Sequence, residues 1–156
     1  MQLLLQVDLE KLPPSVRQDA TDADGTAANW LHLGMVCEAN GLTLDARRAY
    51  ERATTVPGAD ARLWYRLAMV RMRSADLDGA ASAIDRAITL DGGYAPAHWR
   101  RGLWLLDGGH DAEARAAFLA MRDAGAWIVH IQAGAGIVAD SVPDAEDAMR
   151  VAARAH

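Results

Sequence analysis

The sequence predicts an all-α solenoid of stacked helix pairs, and three observations carry that expectation. First, the chain echoes itself at a shift of 34 residues between Ala27 and Gly125. Trp30 falls on Trp64, Leu33 on Leu67, and Gly34 on Ala68 and then Gly102. Ala46, Ala80 and Ala114 make one column, Tyr50, Ile84 and Phe118 another, and Ala53, Ala87 and Met121 a third. A fixed period of this length marks repeats that bury their apolar faces against neighbours. Second, helix-stopping residues recur at Asn40-Gly41, Pro57-Gly58, Ser74-Ala75, Asp91-Gly92-Gly93, Gly108-Gly109 and Gly125; Asn-Gly and Gly-Gly suit the left-handed residue that ends a helix. Third, Asp45, Asp78 and Asp111 fall in the first turn of each second helix, where the helix dipole favours an anion.

In chain order, residues 1–12 read as a strand and not as a helix. Leu3, Leu5, Val7 and Leu9 alternate with Leu4, Gln6, Asp8 and Glu10, and Pro13 and Pro14 end the run. A lone strand in a helical chain needs partners for its backbone groups and its leucines. An arm lying on its own solenoid supplies them, and so does an arm that pairs with another copy through Leu3, Leu5, Val7 and Leu9. Residues 15–26 are polar and form the linker, so that arm and linker together take 1–26 and the solenoid 27–156. Three helix pairs follow at 27–60, 61–94 and 95–128. Small residues such as Gly34 and Gly102 let backbones approach, and Trp30, Trp64, Tyr50, Ile84 and Phe118 fill the wedges. A degenerate fourth copy occupies 129–156. Gly136, Ala148, Ala152 and Ala155 keep the columns, while Gln132 replaces the aromatic residue and Pro143 stands in the turn.

These columns of Trp, Leu, Gly, Ala and aromatic residues resemble the tetratricopeptide repeat (TPR) family over three full units. The resemblance implies antiparallel helix pairs wound into a right-handed superhelix, with the first helix of each pair lining a concave groove. By register the inner face presents Leu31, Met35 and Glu38, then Arg62, Tyr65, Met69, Met72 and Arg73. It continues with Pro96, Trp99, Leu103, Leu106 and Asp107, and ends on His130, Ala133 and Ile137. The carboxylate clamp of some family members does not carry over. Leu31 and Met35 stand where its first residues would be, Arg66 replaces an asparagine, Pro96 replaces a lysine, and Arg100 alone matches. An apolar trough holding Met35, Met69 and Met72 suits an apolar strand or an amphipathic helix instead.

Composition narrows the function further. The chain has 156 residues, one domain by length, and is half apolar, enough to bury a core. Its net charge is −5 and Lys11 is the single lysine, which argues against nucleic acid as a partner. No run approaches the roughly 18 apolar residues that span a bilayer. The N-terminus lacks a basic start and a small-residue cleavage site, which leans toward the cytoplasm and leaves open a processed secreted or periplasmic chain.

Reactive chemistry is not predicted. Cys37 is alone, without disulfide partner or CxxC, and reads as a buried inert thiol. His32, His98, His110, His130 and His156 show no metal-ligand spacing, and His98 takes the tryptophan column. Gly134, Gly136 and Ala139 fit GxGxxA, yet too little chain follows for a βαβ unit and its acidic ribose partner. Asp144, Glu146 and Asp147 read as a solvated end face. No nucleophile, base and orienting group can be assembled, so neither an enzyme nor a cofactor nor a metal is expected.

The function expected first is a non-enzymatic scaffold capturing an apolar peptide or helix on Leu31, Met35, Arg62, Tyr65, Met69, Met72, Trp99, Leu103 and Leu106. The alternative is a self-assembling subunit, a homo-oligomer or filament whose arm docks on a neighbour. An accessory subunit of a larger complex differs from the first only in its partner.

Overall fold

In the computed structural model the structure describes residues 25–123, together with Pro14. Six helices run through them: α1 (Ala27–Ala39), α2 (Thr43–Thr54), α3 (Ala61–Arg73), α4 (Leu77–Leu90), α5 (Ala95–Asp107) and α6 (Asp111–Asp123). No strand occurs among the described residues. The strand-like arm with Leu3, Leu5, Val7 and Leu9, and the fourth repeat over 129–156, lie outside them. The chain divides into two compact units, Met1–Arg86 and Ala87–His156, with the boundary inside α4. In the first, α1 packs on α2 and α2 on α3; in the second, α5 packs on α6.

The turn inside each pair is built the same way three times. After α1, Gly41 is left-handed at φ 73°, its N–H donates to Glu38 O at 3.0 Å, and Leu42 N–H donates to Cys37 O at 2.9 Å. After α5, Gly109 at φ 74° donates to Leu106 O and His110 to Leu105 O. These paired bonds satisfy carbonyls that a helix end otherwise leaves orphaned. After α3 the same bonds run from Ala75 to Met72 O and from Asp76 to Arg71 O, but the left-handed residue is an alanine at φ 60°. The next helix then starts at once: the carbonyls of Leu42, Asp76 and His110 accept from Ala46, Ala80 and Ala114. Side-chain caps add to this where the sequence supplies them. Thr26 Oγ1 accepts from Asn29 N–H, Asp60 Oδ1 from Leu63 N–H, and Asp76 Oδ1 from Gly79 N–H.

Between the helices of a pair, the repeat columns are the core. Ala46, Ala80 and Ala114 are buried, as are Tyr50, Ile84 and Phe118. Gly34 packs under Tyr50 so closely that a Cβ added there would stand 2.2 Å from Tyr50 Cε1; at Gly102 the clash would be 2.4 Å, with Phe118 Cε1. In the middle repeat the same two registers hold Ala68 and Ile84, both buried. The methyl group appears where the facing register holds a narrower side chain than a ring. Each of these large side chains contributes about 1.5–3 kcal/mol by burial.

Stability measurements can check both features. Gly34→Ala should cost about 1–3 kcal/mol by overpacking, read as a lower urea midpoint; adding Tyr50→Ile should recover part of that loss despite removing a ring. Strictly additive losses would reject the complementarity. Ala75→Gly should raise the midpoint, because relief of a left-handed alanine, about 1–2 kcal/mol, outweighs the entropy glycine adds to the unfolded chain, about 0.4–1 kcal/mol.

Candidate functional site

Helix α1 steps about 100° per residue, so Met35 and Glu38 share a side with Leu31. The structure separates these three. Met35 is 37% exposed, among the few large apolar side chains left open. Leu31, expected to line the trough, is instead buried in the core of the first unit with Trp30, Leu33 and Cys37. It lies at i+4 from Ala27 and i−3 from Gly34, on the flank of the closely packed side, and α1 buries a wider face than a narrow groove-and-core division allows.

On α3, Arg62, Arg66 and Arg73 form one stripe and Tyr65 and Met72 the next. Arg62 is exposed and Tyr65 and Met72 are half-buried. Met69, also expected in the trough, is buried. Its i±3 and i±4 neighbours on the helix are Tyr65, Arg66, Met72 and Arg73.

The centre of this face is ionic. Glu38 is only 13% exposed and accepts from Tyr50 Oη and Arg73 Nη2, with Arg66 Nη1 3.6 Å away. The carboxylate thereby ties α1 to α2 and α3 at once. Burial, reinforced by the bond to Glu38, pushes the Tyr50 hydroxyl up, so it stays a donor. A second network lies behind it. Arg47 meets Glu51 at 3.0 Å and Asp76 at 2.9 Å, while Arg71 meets Glu51 at 3.2 Å and donates to Gly79 O on α4.

The second unit offers Leu103 and Leu106, both half-buried. Trp99, expected beside them, is core: its ring centroid lies 5.2 Å from that of Phe118, tilted by 54°. An aromatic pair of this kind fastens α5 to α6. His98 is buried in the tryptophan column with its Nε2 2.8 Å from Gly92 O. Arg100 Nε is buried without a hydrogen-bond partner.

The reactive-group inventory is short. Cys37 is fully buried, and burial raises its thiol to about 11. Among the described residues no cluster of three or more His, Cys, Asp or Glu could hold a metal ion, and no helix is long and apolar enough to cross a membrane.

No protein-family model matches the sequence, and no curated protein matches it. Solved structures do resemble it. A crystal structure of MamA aligns over 89% of this chain and 85% of its own, with a TM-score of 0.63 and 19% identity. A second MamA structure aligns over 82% and 68%, with a TM-score of 0.58 and 20% identity. At such identities the likeness shows the fold alone: an all-α solenoid of helix pairs, as the period predicts.

Proposed function

We propose that the chain is a non-enzymatic protein-interaction scaffold of the TPR family, and that an apolar segment of a partner, strand or amphipathic helix, lies along its first helices. Met35, Arg62, Tyr65 and Met72 would hold it on the first unit; Leu103 and Leu106 offer the same chemistry on the second. One observation carries the reading. The repeat columns fill the core with a separate set of side chains, leaving Met35, Tyr65 and Met72 on the neighbouring helices α1 and α3 with surface to spare. Thioethers adapt to varied shapes, and a tyrosine ring gives a stiff contact at little entropic cost. Leu31 and Met69 act beneath this face as its support, and Trp99 is core within the second unit.

A second reading, self-assembly through the N-terminal arm, rests on the alternation of Leu3, Leu5, Val7 and Leu9. Leu44 and Leu77, both well exposed, give a neighbouring copy apolar surface away from that face.

Two experiments divide these readings. Tyr65→Ala with Met72→Ala should weaken retention on an immobilised leucine-rich amphipathic peptide by about tenfold or more, some 1.4 kcal/mol, with helicity unchanged. Equal retention rejects the scaffold reading; Trp99 is avoided because its removal would loosen Phe118. For self-assembly, light scattering should show the intact chain as a large particle and the chain without residues 1–12 as a monomer. An intact chain that stays monomeric at high concentration removes that reading.

A further inference from the structure

The α1–α3 face carries more cations than its apolar lining calls for. Among the described residues Arg66 and Arg73 share the carboxylate of Glu38, and Arg62 stands exposed one turn before Arg66 on the same stripe, three cations to that one carboxylate in a chain whose net charge is −5. The next anion along α3, Asp60, is turned onto the helix start, its Oδ1 accepting from Leu63 N–H at 2.8 Å. Glu38 is enclosed, whereas the guanidinium groups it holds are not: Arg66 is 41% exposed and Arg73 47%. A guanidinium has five N–H donors, and the bonds to Glu38 leave most of them open to the outside.

From this we infer that the occupant of the face is an acidic apolar segment of a partner protein, its leucine-like side chains on Met35, Tyr65 and Met72 and its carboxylates on the arginine stripe. The inference rests on the scaffold reading and adds the chemistry of the ligand. Geometry narrows it further. Arg62 and Arg66 are one turn apart, about 6 Å along α3, and Arg66 and Arg73 two turns, about 10 Å. A helix lying alongside matches those intervals with acidic residues four and seven apart beside its apolar stripe. Glu38 assists by holding Arg66 and Arg73 toward the face, so less side-chain entropy is lost when a second carboxylate arrives.

The test uses the full chain and a dye-labelled amphipathic peptide with leucines on one side and glutamates at those intervals. Two companions replace every glutamate by glutamine or by lysine. Fluorescence anisotropy should rank glutamate above glutamine by about tenfold and lysine last, with the first gap closing at high salt as ion pairs are screened. Arg62→Gln with Arg66→Gln should remove the preference, bringing the glutamate peptide down to the affinity of the glutamine peptide, with helicity by circular dichroism unchanged to show that the variant is folded. Equal binding of the glutamate and glutamine peptides overturns the acidic specificity and leaves apolar capture standing. Binding of none of the three overturns both. A preference that survives the arginine changes places the carboxylates elsewhere and overturns the inference. So does binding that appears only after residues 1–12 are removed, since the chain's own arm would then be the occupant.

Discussion

The fold depends on one close approach, made inside the first and third helix pairs between a glycine and a ring sixteen positions later. Gly34 lies against Tyr50 and Gly102 against Phe118, at distances that a single added carbon would violate. Dispersion falls away within an ångström of separation, so the ring is worth its full packing energy only while the glycine stays bare. Ala68 and Ile84, at the same registers and both buried, are consistent with the rule's other side, a methyl group paired with a side chain narrower than a ring. That approach sets how near the paired helices stand, and therefore which other side chains are closed over and which remain outside.

The turn is the second constraint, and it is a backbone one. Gly41, Ala75 and Gly109 must all be left-handed for the chain to reverse while satisfying its last carbonyls. Two of the three are glycine. The third is alanine, and the residue beside it is well bonded: Asp76 caps α4 through Gly79 N–H and also receives Arg47. A strained residue beside a well-bonded cap is a stable compromise, and it costs the repeat its best turn residue without costing it the turn.

Much of this was legible in the sequence, for a physical reason. Column identity at a fixed period reports which positions face the neighbouring helix, and the stops at Asn40-Gly41, Ser74-Ala75 and Gly108-Gly109 fall where the helices end. Exposure at the flanks was not legible. Leu31, Met69 and Trp99 are apolar residues on the expected side of their helices, yet all three are buried. Register gives a direction around a helix; it does not say how far neighbouring side chains reach over. The Glu38 network escaped for a different reason, since a charge pairing across three helices has no local period. A signal for it did exist. Tyr50 carries a hydroxyl in the column where Ile84 and Phe118 have none, and Glu38 carries a carboxylate where Met72 and Leu106 stand. Both departures from the repeat occur in the same unit, and they are hydrogen-bonded to each other.

That coincidence bears on how the face would work. Desolvating Glu38 is costly, and its bonds to Tyr50, Arg66 and Arg73 largely return that cost without a large net gain in stability. What the carboxylate fixes is position. With one oxygen on α2's tyrosine and the other on α3's arginine, α1 cannot slide along either helix without leaving a charge unpaired in a partly closed site. Around this fixed point the lining is of the opposite character, methionines and long guanidinium stems that adjust at low cost. On the proposed scaffold reading, a held centre with an adaptable rim would lower the ordering penalty of binding while keeping a preference for charge. Such an arrangement favours selection by the chemistry of a segment over selection by its detailed shape.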